Sequence, residues 1–436
     1  MGYFLTTYIG SDEILRKKRD YLIPCVYHFY ERPMQLVRGE MQYLYDNTGK
    51  QYLDCLAGVS VVNCGHCNPE ITKAICEQVN TLQHTCAIYL TENIVNLAEE
   101  LAKITPGKLQ KTFFCSSGSE ATEGAALLAS LYTGNSEFIS LRQGLHGRTK
   151  LGMSLTGLSM WRTDPTPVGG INFAPNPYCY RCPYDKRYPE CDLACASEIE
   201  TIIKTSTSGK VAAMFAEPIQ GNGGIITPPP GYFKRVKEIL DAHGILLIVD
   251  EVQTGFGRTG KMFAIEHYDV EPDIMAMAKA LANGTPVGAF TARAEIADVY
   301  TRPGASTLGG NPVTSAASLA TLKYIITNNL PARAEKLGKL LKDGLLSLQQ
   351  KHPIIGDVRG LGLMVGAELV HKNKLPAITE TDIIMEKMKD RGFLVGKNGP
   401  NRNVLAFQPP LVITAHDINN LLTNLDDILG SLNFEL

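Results

Sequence analysis

The amino-acid sequence predicts an α/β fold, in which a large domain is built on a mostly parallel sheet and a smaller α+β domain lies beside it. From residue 112 to 278, short apolar runs alternate with amphipathic helical patterns. This alternation is typical of a parallel sheet covered by helices on both faces. Beyond Pro312, helical spacing dominates, and 436 residues exceed what one hydrophobic core usually organises.

The N-terminal region predicts a β-hairpin followed by two helices. Residues 41–45 alternate in polarity, residues 46–49 have turn chemistry, and an apolar pattern resumes at residue 51. Helical spacing of apolar residues then begins at Pro69 and again at Thr91.

The central and C-terminal regions predict the remaining elements. Strands are expected at 112–115, 137–141, 211–215, 245–249 and 274–278. Helices are expected at 119–132, 231–243, 315–328 and 331–350, a β segment at 357–369, and a last helix after Thr414, which has capping-box spacing to Asp417. We expect a large domain at 61–312 with a cysteine-rich insertion at 176–196, and a small domain formed by 1–60 and 313–436.

Composition argues against several classes of partner. The 42 basic and 44 acidic side chains balance, so no field attracts polyanions, and we expect no nucleic acid partner. No apolar run approaches the roughly 18 residues of a membrane span, so we expect no membrane partner.

The eleven cysteines and the N-terminal sequence predict a cytoplasmic protein. The N-terminus has no basic lead-in to an apolar stretch of signal-peptide length. Several cysteines stand alone in apolar surroundings, which predicts buried, reduced thiols. These are Cys25, Cys55, Cys76, Cys86 and Cys115.

Residues 255–260 match the dinucleotide-binding pattern of three glycines, but their context does not. The residues from Asp250 to Thr254 separate the first glycine from the preceding strand, and no long helix opens at the last glycine. We interpret this segment as a glycine-rich surface loop.

Two charged residues follow buried strands. Asp250 ends the run 245–249 and Lys279 ends the run 274–278, and ligands bind at this end of the strands in open α/β sheets. A lysine that loses solvation there has a lowered pKa, which favours the neutral amine needed for a Schiff base. Each residue alone could equally be a turn aspartate or a snorkelling surface lysine.

A third feature is the small-residue turn 116–121, which leads from a strand into a helix. Its backbone N–H groups, helix dipole and hydroxyls could hold a phosphate, although an ordinary serine cap would look similar. An amine, a carboxylate and a phosphate seat at strand ends together meet the requirements of pyridoxal phosphate.

The chain resembles the class III, fold-type I pyridoxal-phosphate aminotransferases over nearly its whole length, and most closely the alanine–glyoxylate type 2 and ω-amino-acid branch. The matching stretches are 65–69, 117–121, 146–149, 217–221, 250–258, Lys279, 307–312 and 356–360.

The resemblance implies specific roles. Lys279 would form the Schiff base and move a proton between the substrate α-carbon and the cofactor, and Asp250 would pair with the pyridine nitrogen. Thr307 would come from a partner subunit, which implies a homodimer with shared active sites. The cofactor-binding residues would be Gly118, Ser119, Leu145, His146, Glu217, Asp250, Gln253, Lys279 and Thr307.

The sequence departs from the family pattern at four positions. Leu145 stands where an aromatic residue usually stacks on the cofactor ring, and Thr122 replaces an asparagine. Asn222 and Ala406 replace the glutamate and arginine that gate and bind a substrate carboxylate in the ornithine-like branch. Any carboxylate must then be bound by another arginine, for which the candidates are Arg162, Arg181, Arg187 and Arg402.

Four cysteines have the spacing C-x2-C-x8-C-x3-C. Thiolates this close could hold a structural zinc ion or iron–sulfur cluster, or they could be unliganded thiols or labile disulfides. The residues are Cys179, Cys182, Cys191 and Cys195.

We therefore expect an aminotransferase that moves an amino group from a primary amine or amino acid to pyruvate, glyoxylate or 2-oxoglutarate. An amino-acid racemase or epimerase and an amino-alcohol phosphate phospholyase are alternatives on the same fold. A cofactor-binding regulator or inactive partner subunit is the alternative outside enzymes, against which the retained Lys279 and Asp250 argue.

Overall fold

The computed structural model describes residues 8–432. Its α-helices are α1 (Ser11–Tyr21), α2 (Ala57–Ser60), α3 (Pro69–Thr81), α4 (Glu92–Ile104), α5 (Gly118–Thr133), α6 (Lys150–Leu155), α7 (Ala194–Ser206), α8 (Tyr232–Ala242), α9 (Ala294–Ala297), α10 (Pro312–Thr327), α11 (Leu330–Lys351), α12 (Ile378–Asp390) and α13 (Ala415–Ser431).

The strands fall into three sheets. They are β1 (Leu36–Glu40), β2 (Tyr43–Asp46), β3 (Gln51–Asp54), β4 (Leu109–Cys115), β5 (Glu137–Leu141), β6 (Ile171–Ala174), β7 (Val211–Ala216), β8 (Leu246–Asp250), β9 (Ile274–Met277), β10 (Gly288–Arg293), β11 (Ile355–Leu361), β12 (Met364–Leu369), β13 (Phe393–Leu394), β14 (Gly396–Asn398) and β15 (Val404–Phe407).

The central sheet has seven strands in the order β4-β10-β9-β8-β7-β5-β6. The pairs from β9 through β6 are parallel, and β10 runs antiparallel to both β9 and β4. Every residue of β7, β8 and β9 is buried, as expected for strands covered on both faces. The predicted α/β fold with a mostly parallel sheet is confirmed, whereas β6 and β10 were not predicted.

Two smaller sheets, β1-β2-β3-β13 and β11-β12-β15-β14, lie outside the central one. The predicted N-terminal hairpin is β2 and β3, and the single β segment expected at 357–369 is a hairpin of β11 and β12. Strand β13 pairs in parallel with β3, with Phe393 opposite Leu53. The N- and C-terminal segments thus share a sheet, while the domain boundaries at 61–312 stay a prediction.

Local sequence explains several helix boundaries. Helix α13 begins after Thr414, whose hydroxyl accepts a hydrogen bond from the backbone N–H of Asp417 (3.2 Å), while Asp417 accepts from the N–H of Thr414 (2.9 Å). This is the predicted capping box. Helix α10 has Asn311 as its N-cap and proline at its first position, a combination that favours initiation.

Two predictions about burial are wrong. The glycine-rich segment after Thr254 is not on the surface, because Arg258 within it is fully buried and donates to the carbonyl oxygens of Leu363 (2.9 Å) and Pro409 (2.5 Å). Among the cysteines expected to be buried, Cys25 and Cys76 are exposed. The apolar neighbours of Cys25 in sequence, Ile23 and Val26, are exposed as well, so an apolar local sequence did not mark a buried segment there. Among residues 8–432, no helix combines the length and apolar character needed to cross a bilayer.

Candidate active site

The carboxyl ends of β4, β7, β8 and β9 carry the predicted functional residues to one place. They line a cavity of about 180 Å³. The predicted residues that line it are Gly118, Ser119, Leu145, Glu217, Asp250, Gln253 and Lys279. Strand ends far apart in sequence therefore meet at one edge of the sheet, where ligands of α/β proteins bind.

Lys279 lies two residues beyond the end of β9 and begins a short 3-10 turn. It has a left-handed backbone conformation (φ +42°), which is uncommon for a residue with a side chain. Burial lowers the pKa of its amine, against the opposing charges of Asp250 and Glu217. The site therefore holds an amine that is biased toward its neutral, nucleophilic form.

Asp250, the last residue of β8, is held by two hydrogen bonds. Its Oδ1 accepts from the backbone N–H of Val252 (3.1 Å), and its Oδ2 accepts from Nδ1 of His146 (2.8 Å). Both side chains are buried. Burial acts to lower the pKa of His146, but the hydrogen bond and charge of Asp250, together with Glu217, raise it overall. His146 thus holds the buried carboxyl group of Asp250 in a fixed position.

Glu217, directly after β7, organises the backbone around the cavity. One carboxyl oxygen accepts from the N–H of Leu145 (2.9 Å), and the other accepts from the N–H of Gly221 (3.0 Å). Burial raises its pKa to about 7, with His146 opposing and Asp250 reinforcing the shift. Glu217 therefore fixes both the segment before His146 and the turn that carries Asn222.

The N-terminus of α5 forms one wall of the cavity. Ser117 is its N-cap and accepts from the N–H of Glu120 (3.2 Å), and the hydroxyl of Ser119 accepts from the N–H of Arg148 (2.9 Å). A Cβ at Gly118 would lie 2.9 Å from Cγ1 of Val252, so the close packing requires glycine. The helix dipole and backbone N–H groups at this end suit an anion.

The remaining predicted cofactor residues lie at the edges of this arrangement. Gln253 accepts a hydrogen bond at Oε1 from Gln408 (3.3 Å), and His146 lies behind the cavity wall, in contact with Asp250. Thr307 is exposed and does not line the cavity. The structure thus brings all of the predicted residues but Thr307 to or directly against the cavity.

The class III aminotransferase family profile matches residues 28–429. The chain belongs to the class III aminotransferases. This aminotransferase is 41% identical over 420 residues to the Arabidopsis thaliana protein named alanine–glyoxylate aminotransferase 2 homolog 2, mitochondrial. The alignment covers 96% of this chain and 87% of the relative.

Two further comparisons extend the likeness. The aminotransferase is 41% identical over 406 residues to the leucine/methionine racemase of Thermococcus litoralis, with 92% of this chain and 91% of the relative covered. The structure of a Bacillus anthracis aminotransferase matches it with a TM-score of 0.90 at 33% identity, over 97% of this chain and 98% of that one. The predicted enzyme class is confirmed.

The cavity of this aminotransferase fits pyridoxal phosphate, the cofactor implied by the family. Lys279 would hold its aldehyde end, Asp250 would accept from its pyridine nitrogen, and the N-terminus of α5 at Gly118 and Ser119 would hold its phosphate. The fit rests on a half-buried, desolvated amine, a buried carboxylate and a glycine wall in one cavity. When bound, the cofactor supplies an electrophilic aldehyde and an electron-withdrawing ring.

The aminotransferase has no charge where its ornithine-like relatives bind a carboxylate. Ala406 is fully buried and packs in an apolar cluster with Ile219, Ile225 and Met364. Asn222, in place of the gating glutamate, lines the cavity. The lost arginine has therefore been replaced by hydrocarbon, and the nearby position is neutral.

Three residues that line the cavity were not singled out from sequence. They are Gly147, Arg148 and Val252. Each lies within two residues of a predicted site residue, in the stretches 146–149 and 250–258. Proximity within those motifs is the signal that would have found them.

The structure gives the predicted metal site no support. The four cysteines of the insertion border one narrow pocket, in which Cys179 is exposed and the other three are half-buried. Among residues 8–432, no group of three or more His, Cys, Asp or Glu side chains is arranged to hold a metal ion. The cysteines Cys179, Cys182, Cys191 and Cys195 are free thiols.

Proposed function

We propose that this aminotransferase moves an amino group from an amino acid or primary amine to one of three oxo acids, pyruvate, glyoxylate or 2-oxoglutarate. The observation that carries the proposal is the pairing of a half-buried lysine, whose amine is desolvated, with a buried carboxylate at one cavity, at the ends of adjacent parallel strands. Lys279 would hold the cofactor and carry the proton removed from the substrate α-carbon. Asp250 would keep the pyridine nitrogen protonated.

The remaining residues would orient these two groups. His146 holds Asp250 through its Nδ1 proton, and Glu217 fixes the backbone of Leu145. Leu145 would cover one face of the ring by van der Waals contact, without the roughly 0.5–1.5 kcal/mol that an aromatic pair adds.

The purified holoenzyme tests the proposal. Alanine and several other amino donors would be incubated with each of the three oxo acids, and both the new amino acid and the new oxo acid would be quantified. Stoichiometric exchange that Lys279→Ala abolishes is expected. Absence of exchange with every pair, from a protein that carries the cofactor, would contradict the proposal.

Racemisation is the second candidate, because a leucine/methionine racemase is 41% identical to this chain. Proton return to the opposite face of the same carbon would invert an amino acid without any acceptor. Incubation of one enantiomer of leucine or methionine without oxo acid distinguishes the two reactions. Inversion of the amino acid without oxo acid, at a rate equal to that of amino transfer, would favour the racemase reaction.

We also propose that the enzyme is a homodimer in which Thr307 reaches the cofactor phosphate of the neighbouring subunit. Thr307 is exposed, and large apolar side chains elsewhere are left open, which is typical of an interface. They include Ile88, Tyr89, Leu90 and Leu308, which are 58–85% exposed.

Subunit mixing tests this arrangement. In a mixed dimer of Lys279→Ala and Thr307→Ala chains, one site would combine wild-type Lys279 with wild-type Thr307. That site should regain the cofactor affinity that the Thr307→Ala dimer lacks. No regain, or a monomer by sedimentation, would contradict the shared site.

A further inference from the structure

We propose that Arg402 binds the substrate carboxylate and so selects amino and oxo acids over simple amines and aldehydes. The inference rests on the proposed function, since it assigns the substrate-reading residue of that same site. It starts from the absence of charge at Ala406 and Asn222, which leaves carboxylate binding to another residue.

Most of the other candidate arginines are committed elsewhere. Arg181 pairs with Glu368 (2.6 Å) and donates to the carbonyl oxygen of Lys374 (2.8 Å). Arg162 donates to two backbone carbonyls, those of Ser154 (2.9 Å) and Thr156 (2.7 Å). Arg187 lies exposed on the cysteine-rich insertion.

Arg402 is half-buried, and one of its two terminal nitrogens has no partner. Its Nη2 is buried without a hydrogen bond, and within residues 8–432 it forms no ion pair. Burial lowers its pKa, and only Tyr27 and Asp382 oppose this. A partly buried guanidinium without a paired anion is costly, and a carboxylate that pairs with it in bidentate geometry would offset that cost.

Backbone hydrogen bonds connect the segment that carries Arg402 to the cavity wall. The N–H of Gly399 donates to the carbonyl of Asn222 (2.9 Å), a cavity-lining residue, and the N–H of Arg402 donates to the carbonyl of Gly399 (3.1 Å). Asn398 also donates from its side chain to the carbonyl of Gly221 (2.9 Å). Arg402 itself has a left-handed conformation (φ +57°), the kind of backbone strain that clusters at ligand sites.

Aromatic side chains frame this guanidinium. Arg402 lies over the ring of Phe29 (5.4 Å to the centroid), Phe29 contacts Tyr27 (5.7 Å between centroids), and Tyr27 contacts Trp161 (6.1 Å). The indole Nε1 of Trp161 is a second buried donor without a partner. Two unpaired donors therefore flank one aromatic wall, which would shield a carboxylate from water and hold the arginine in place.

The test compares substrates with and without the carboxylate. Wild type, Arg402→Gln, Arg402→Lys and the exposed control Arg187→Gln would be assayed as holoenzymes with alanine and ethylamine as donors, and with pyruvate and acetaldehyde as acceptors. Arg402→Gln should raise KM for alanine and pyruvate about 10- to 100-fold and leave the carboxylate-free pair within about twofold. Arg402→Lys should fall between, and Arg187→Gln should match wild type.

Two further measurements keep the result decisive. Inhibition by propionate, a carboxylate without a reacting group, should weaken in Arg402→Gln by a similar factor, even where ethylamine is a poor donor. Arg148→Gln is the rival variant, because Arg148 borders the cavity. Carboxylate-selective loss in Arg148→Gln alone, or equal loss on both substrate classes in Arg402→Gln, would overturn the inference, whereas failure of wild-type transamination would overturn the proposed function instead.

Discussion

Replacement of His146 isolates the contribution of its hydrogen bond to Asp250. In His146→Leu, Oδ2 of Asp250 loses the hydrogen bond that His146 donates while remaining buried. In His146→Asn, the amide nitrogen can occupy nearly the position of Nδ1 and keep the donor. A hydrogen bond to a charged group contributes about 1.5–3 kcal/mol, and each 1.4 kcal/mol or so corresponds to a factor of ten in rate.

We therefore expect kcat/KM of the cofactor-loaded enzyme to fall about 10- to 150-fold in His146→Leu and only a few-fold in His146→Asn. The assay measures transamination initial rates at saturating cofactor, and thermal unfolding of each variant controls for folding. Equal activity in the two variants, at either level, would refute the positioning role of His146.

Three further predictions follow from the same site. Asp250→Asn should remove most activity in the amino-transfer assay while leaving the circular dichroism spectrum unchanged, and an active variant would contradict the role of its charge. Gly118→Ala places a Cβ 2.9 Å from Val252 and should weaken cofactor binding about 5- to 150-fold in an apoenzyme titration, because overpacking costs about 1–3 kcal/mol; unchanged affinity would argue against the phosphate seat. Burial raises the pKa of Glu217 from 4.5 to about 7, so the folded protein favours its protonated form. The free energy of unfolding should therefore fall as pH rises from about 4.5 to 7, by at most about 3 kcal/mol. Urea unfolding should find a smaller fall in Glu217→Gln.

Sequence patterns were informative wherever function coincides with a strand end. Asp250 and Lys279 each follow an apolar run that reads as a buried strand, so their positions and the sheet were both predictable. The short strand β6 and the antiparallel β10 were not, because their pairing partners, β5, β9 and β4, lie elsewhere in the chain and set their direction.

Contacts between distant residues lay beyond local patterns. His146 and Asp250 are separated by 104 positions, and no spacing predicts their hydrogen bond. Likewise, the burial of Arg258 depends on carbonyl groups at positions 363 and 409, which a glycine-rich local sequence does not reveal. The choice of Arg402 among the candidate arginines required knowledge of which guanidinium groups already have partners.

The most direct test of the account is to locate the covalent attachment of the cofactor. The holoenzyme would be treated with borohydride, which fixes an imine between the cofactor and a lysine, digested, and analysed by mass spectrometry. The account predicts one phosphopyridoxyl group per chain, on the peptide that contains Lys279. Attachment to another lysine, or a fully active enzyme with no attachment, would contradict it.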